Sequence, residues 1–246
     1  TFSHNLASYL DAGHILPCAN GTDAIQIALM ALNLQEGDEV IIPTFTYVAT
    51  AEAIALLKLT PVLVDVDPKT FNMNADLLDG AISSKTRAII PVHLFGQTCE
   101  MERIQKIAKK NNLYVIEDNA QSIGSVYTFS DGVKRQAGTM GDMGTFSFFP
   151  TKNLGCYGDG GAIATNDEKL AQRVRMISSH GQTTKYYHEI IGCNSRLDTL
   201  QAAILDVKLK HLDEFMKRRR MLANFYYDEL AAVDLVETPH INVNST

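Results

Sequence analysis

The chain reads as an α/β protein built on a mostly parallel sheet with helices on both faces. Two observations predict this. Short apolar runs rich in β-branched residues recur at positions 40–42, 61–66, 88–92 and 114–116, the pattern of strands buried on both faces. Between them, residues 47–57, 74–82 and 100–110 place apolar side chains at helical spacing, and strand, helix, strand in this rhythm makes crossover connections and hence a parallel sheet.

The elements follow in order. Ile25, Ala28, Leu29 and Leu32 recur at helical spacing, and Gly37 stands where that helix should have ended. Asn74 is placed to cap the helix that follows it. The rhythm breaks after Asp118, where residues 120–145 are rich in glycine and polar groups, and two further strands are expected at 144–149 and 161–165. Helical patterning resumes at Asp167, and a single long helix is expected over 197–230 with Leu200, Ile204, Val207, Leu212, Phe215, Leu222 and Phe225 as its apolar stripe. The basic run at 217–220 follows Asp213 and Glu214 at pairing distance, as on a solvated helix face.

Bulk properties exclude several function classes. A formal net charge of -6 opposes a nucleic-acid binder, which would need a basic stripe. The longest apolar stretch is broken at Lys58, far short of the roughly 18 residues a membrane span needs. Cys18, Cys99, Cys156 and Cys193 are scattered without zinc-ligand spacing, so no metal site or disulfide framework is expected. Free thiols and the absence of a signal-like start predict a cytoplasmic protein.

In an open α/β sheet, ligands gather beyond the carboxyl ends of the strands, and four features lie at such tips. Asn20-Gly21-Thr22 precedes a helix, where outward N–H groups, a permissive glycine and a hydroxyl make either an anion site or an ordinary cap. Asp118 ends a strand, where a carboxylate costs desolvation unless it meets a positive partner such as a protonated pyridine nitrogen. Phe45 or Tyr47 could cover a ring face, with core packing as the default. Lys152 follows an apolar strand and precedes a glycine cluster. An unperturbed lysine is neutral about once in 2,500 molecules at pH 7, and burial at a strand tip is one way to activate it.

Together the features resemble the cofactor site of fold-type I pyridoxal-phosphate (PLP) aminotransferases. The spelling is similar to one branch, the DegT/StrS family of sugar aminotransferases, through Asn-Gly-Thr-Asp-Ala, Phe-Thr-Tyr-Val-Ala-Thr-Ala, Glu-Asp-Asn-Ala-Gln, Phe-Phe-Pro-Thr-Lys-Asn-Leu-Gly, Gly-Asp-Gly-Gly-Ala, His-Gly-Gln and Asn-Ser-Arg-Leu-Asp. The resemblance implies that Lys152 carries the cofactor covalently, that Asp118 keeps the pyridine nitrogen protonated, that Gln121 bonds the ring hydroxyl and that Tyr47 stacks on the ring. It implies a phosphate site of Gly21, Thr22 and Ser147, joined by Asn194 from the second subunit of a homodimer. Tyr187 and Arg196 are weaker substrate candidates. Family members usually have Ala where Asn119 stands.

Two domains are implied: a PLP-binding large domain at 1–196, shortened at its start, and a connecting helix with the beginning of a small C-terminal domain at 197–246. The chain is thus expected to be a piece of a longer protein. The implied reaction moves the amino group of glutamate to a keto group of a nucleotide-linked sugar, with a UDP-linked 3-keto-2-acetamido sugar as the suggested acceptor. Two rivals stand beside it. A PLP sugar dehydratase of the same fold would replace the lysine by histidine, against Lys152. A non-catalytic relative would have no need of Lys152, Asp118 and Gln121 together.

Overall fold

The computed structural model describes residues 1–246. Its centre is a seven-stranded sheet of β1 (His14–Cys18), β2 (Glu39–Pro43), β3 (Thr60–Val64), β4 (Thr86–Ile89), β5 (Tyr114–Asp118), β8 (Met143–Ser147) and β9 (Gly161–Thr165). The spatial order is β1-β9-β8-β5-β4-β2-β3. Neighbours from β8 to β3 pair in parallel, whereas β9 runs antiparallel to both β8 and β1. Two short ribbons flank the sheet, β6 (Val126–Thr128) with β7 (Lys134–Gln136), and β10 (Gln182–Thr184) with β11 (Tyr187–His188).

Helices α2 (Gly21–Ala31), α3 (Ala49–Leu56) and α6 (Glu168–Ser178) supply Ile27, Leu29, Ile54 and Val174 to the largest apolar cluster, which they share with Val40, Ile42, Ala88 and Ile163 of the sheet. On another cluster, α5 (Met101–Asn111) buries Met101, Ile104 and Ala108, one stripe of its surface. It ends at Asn112, whose left-handed φ of 54° lets its N–H return to the Ala108 and Lys109 carbonyls. A third cluster joins Phe146 and Phe148 to Phe2, Leu6 and Leu10 of α1 (Phe2–Leu10) and to Leu205, Leu209 and Leu212.

The expected layers and mostly parallel sheet are present, with some differences in the elements. The segment 74–82 starts with the Asn74 cap but forms only a 3₁₀ turn at Ala75–Leu77 and the short α4 (Leu78–Ala81). The helix expected over 197–230 is two helices, α7 (Thr199–Leu209) and α8 (Leu212–Leu230), broken at Lys210 and His211. Its expected stripe is largely exposed at Leu200, Val207, Leu222 and Phe225; of the stripe Leu212 is buried, and α7 buries Leu205 and Leu209 instead. The basic run at 217–220 is solvated, with Arg218 paired to Glu214 at 2.7 Å. No helix is long and apolar enough to cross a membrane.

Candidate active site

Strand direction concentrates the chemistry at one edge of the sheet. Asp118 ends β5, Ser147 ends β8, and Pro43 ends β2 just before Tyr47. The antiparallel β9 begins there, since Gly161 pairs with Ser147 on one side and Cys18 on the other. Because β1 also ends at this edge, the turn into α2 is delivered beside Ser147. The approach is close: a Cβ on Gly21 would lie 2.6 Å from the Ser147 Cβ, so the turn needs glycine.

The start of α2 is built to accept an anion. Asn20 caps it, its Oδ1 taking the Asp23 N–H at 2.8 Å. The N–H groups of Gly21 and Thr22 have no carbonyl one turn earlier in the helix, so they are free to bind, with the helix dipole behind them. Ser195 locks this turn from a distant part of the chain. Its buried hydroxyl donates to Asp23 Oδ2 at 2.6 Å and accepts the Ala19 N–H at 3.0 Å.

Asp118 is buried at the floor. Its Oδ2 accepts the Thr50 hydroxyl at 2.9 Å and its Oδ1 the Ala120 N–H at 3.2 Å. Burial pushes its carboxyl pKa above the ordinary range, against the lowering effect of those two bonds and of the nearby His93 and Lys152. No cation lies within bonding distance of it among its contacts. The neighbouring Glu117 faces elsewhere. It accepts the Gly138, Met140 and Gly141 N–H groups at 2.8, 2.6 and 2.6 Å, and His93 Nε2 at 2.8 Å. His93 Nδ1 takes the Cys99 N–H at 3.1 Å, so its ring proton sits on Nε2. This buried set anchors the 137–141 turn and holds the end of β5 rigid.

Lys152 lies on the turn after β8, fixed by its N–H to the Phe149 carbonyl at 2.9 Å. The same loop reaches Gln121, where Asn153 Nδ2 donates to the Gln121 carbonyl at 3.3 Å. Gly21, Thr22, Tyr47, Asp118, Gln121, Ser147 and Lys152 line one pocket of about 490 Å³. Tyr47, 73% exposed, stands at its rim. The other three sequence candidates lie outside that lining: Tyr187 on β11, Asn194 and Arg196 are all solvent-exposed. Asn119 is buried beside Asp118 but bonds the Ala137 carbonyl, away from the pocket.

Sequence reasoning missed Thr50 and Asp159, which also line the pocket. Thr50 stands three residues after Tyr47, within the Phe-Thr-Tyr-Val-Ala-Thr-Ala segment, but its bond to a carboxylate 68 positions later left no local signal. Asp159 sits in the glycine cluster after Lys152, where a polar residue among glycines was the only cue.

The lining suits a flat cationic ring bearing a phosphate. An N-terminal helix turn and a serine offer anion donors at one end, an uncompensated buried carboxylate waits at the floor, and a lysine stands within its electrostatic reach.

Comparison with known proteins points the same way. A "Pleiotropic regulatory protein" of Geobacillus stearothermophilus is 51% identical over 96% of this chain and 62% of its own length. The UDP-2-acetamido-2-deoxy-3-oxo-D-glucuronate aminotransferase of Pseudomonas aeruginosa is 50% identical over 98% of this chain and 65% of its own. The crystal structure of Streptomyces venezuelae DesV superposes with a TM-score of 0.95 at 39% identity, covering 100% of this chain and 65% of that one. Bacillus subtilis NtdA, solved with bound cofactor PMP, gives 0.88 at 37% identity over 99% of this chain and 55% of that one. The chain therefore spans just under two thirds of the length of these curated relatives. The profile of the DegT/DnrJ/EryC1/StrS aminotransferase family matches residues 1–246, and the chain belongs to that family.

Proposed function

We propose that this chain carries the cofactor site of a PLP-dependent aminotransferase that moves the amino group of glutamate onto the keto carbon of a nucleotide-linked sugar. A UDP-linked 3-keto-2-acetamido sugar is the acceptor we favour, in amino-sugar or surface-polysaccharide synthesis, supported by the name of the P. aeruginosa relative at 50% identity. The observation that carries the reading is the meeting of Lys152, Asp118 and the α2 N-terminus in one pocket. Residues 1–196 would form the cofactor domain, and 197–246 would lead into a second one.

When bound, the cofactor supplies an electron sink for the carbanion left after an amino acid loses its Cα proton. The protein's part is binding, orientation and proton management. Gly21 and Thr22 N–H groups, the Thr22 hydroxyl and Ser147 would grip the phosphate. Asp118 would hold a proton on the ring nitrogen, its desolvation cost offset by the cation it meets. Gln121 would bond the ring hydroxyl and Tyr47 would cover one face. Lys152 Nζ would hold the cofactor until the donor amine displaces it, then move the proton from the donor Cα. Repetition in reverse with the keto sugar returns the site to its starting state.

The test is borohydride reduction of protein loaded with PLP, followed by peptide mapping. The pyridoxyl group is expected on Lys152, and its appearance on another lysine overturns the assignment. Incubation with glutamate and a panel of keto-sugar nucleotides then reads the acceptor. The regulatory name of the G. stearothermophilus relative gives a second reading, a non-catalytic protein, which a failure to take up PLP would favour.

A further inference from the structure

We propose that Thr50 is a positioning residue that acts through Asp118, an assignment that rests on the PLP reading above. Thr50 is 1% exposed and sits in the first turn of α3, directly after the loop that carries Tyr47. Its hydroxyl spans from that helix to the tip of β5 and donates to Asp118 Oδ2 at 2.9 Å. Because the Ala120 N–H occupies Oδ1, each carboxylate oxygen holds one protein donor and keeps one further lone pair for the pocket.

Two consequences follow from this bond. It fixes the rotation of the carboxylate, which a single bond from the adjacent turn would leave loose. It also ties the carboxylate that would meet the ring nitrogen to the helix that follows Tyr47, so one hydroxyl links two parts of the pocket lining. A donor to a desolvated carboxylate stabilises its ionised form. The other groups near Asp118 are Lys152, His93 with its Nε2–H committed to Glu117, and Glu117 itself, saturated by donors on its own side. Thr50 is therefore the side-chain donor that aims Asp118 and favours its charged form against the cost of burial.

The experiment compares Thr50→Val, Thr50→Ala and Thr50→Ser in protein loaded with PLP labelled with ¹⁵N at the ring nitrogen. In both hydroxyl-free variants the nitrogen resonance should move toward the unprotonated position at a lower pH than in the parent. The half-reaction with glutamate should slow about 10- to 100-fold, the loss of one hydrogen bond to a charged group, mainly in kcat. Thr50→Ser should return both readouts to within about threefold of the parent. In an Asp118→Asn background, removing the hydroxyl should slow the reaction little further. A parent-like nitrogen titration and rate in Thr50→Ala, with only the melting temperature lowered, overturns the proposal and leaves the PLP reading intact. A parent protein that takes up no PLP overturns both.

Discussion

The backbone N–H of Phe95 donates to Gln121 Oε1 at 2.8 Å and thereby decides which end of the Gln121 amide is left free. A backbone N–H can only donate, so Oε1 is committed as the acceptor and Nε2 remains as the amide's donor end. Phe95 holds a left-handed φ of 55° to make this contact, and its ring meets those of Phe45 and Phe71 at centroid distances of 6.4 Å each. Gln121 is thus set to serve an acceptor, such as an ionised ring hydroxyl.

From this comes the first prediction. Gln121→Ala should retain PLP but shift the pH midpoint of its visible band upward, by about one unit for one charge-assisted bond. Loss of the donor makes the ring oxygen more basic, so its proton is held to higher pH. A spectrophotometric titration measures it, and an unmoved midpoint would show that Gln121 does not reach that oxygen.

Asp118→Asn should leave PLP bound while slowing the glutamate half-reaction by at least about 100-fold, because a neutral amide cannot hold the ring nitrogen protonated. Its cofactor-free form carries a separate signature. Burial raises the Asp118 pKa in the folded state, so the native protein binds this proton more tightly than the unfolded chain does. The resulting contribution to stability is present at acid pH and is lost as pH rises through the raised value. Thermal melting of parent and variant across that window should therefore differ in slope, with the decline absent in Asp118→Asn.

Gly21→Ala tests the anion end. The new methyl group would meet the Ser147 Cβ at 2.6 Å, closer than side-chain atoms tolerate, so the α2 turn must withdraw from β8. PLP affinity should fall by tenfold or more, about 1.4 kcal/mol. Ala in place of Gly37, in the loop between α2 and β2 where φ is 84° and no atom crowds the added methyl, should lower stability without touching affinity. Equilibrium dialysis of both variants separates local geometry from general destabilisation.

How far the sequence disclosed these features depends on the physics behind each. Strand β9 matched its expected 161–165 bounds because a continuous apolar run between a glycine cluster and a helix cap has one reading. Strand β1 escaped because Pro17 interrupts it, which an edge strand tolerates and a pattern search rejects. The Leu200 to Phe225 stripe was visible as periodicity, but periodicity names an apolar face without saying what covers it. Lys152 and Asp118 were legible as strand-tip residues, since every parallel strand delivers its end to one edge, whereas Gln121 was legible only through the family resemblance. Thr50 and Ser195 were not, because their partners are fixed by folding across 68 and 172 residues.

The same limit governs Asn194, expected from the sequence to serve a neighbour's phosphate site. It is exposed and outside the pocket lining, while Ser195 next to it is bonded into the start of α2. Asn194 is thus exposed one residue from the bonds that hold the start of α2, a position at which we propose that a second copy of the chain meets it. Subunit complementation tests that placement. Lys152→Ala should be inactive and Asn194→Ala weakened by about 10-fold or more, as for one phosphate hydrogen bond. If Asn194 acts across an interface, a mixed dimer gathers both defects in one site and leaves the other with an intact Lys152 and an intact Asn194. Co-refolded mixtures should then exceed the summed activity of the two parents. If Asn194 serves its own subunit, every site in the mixture carries one defect and no gain appears, even when mixed dimers are demonstrated by differential tagging.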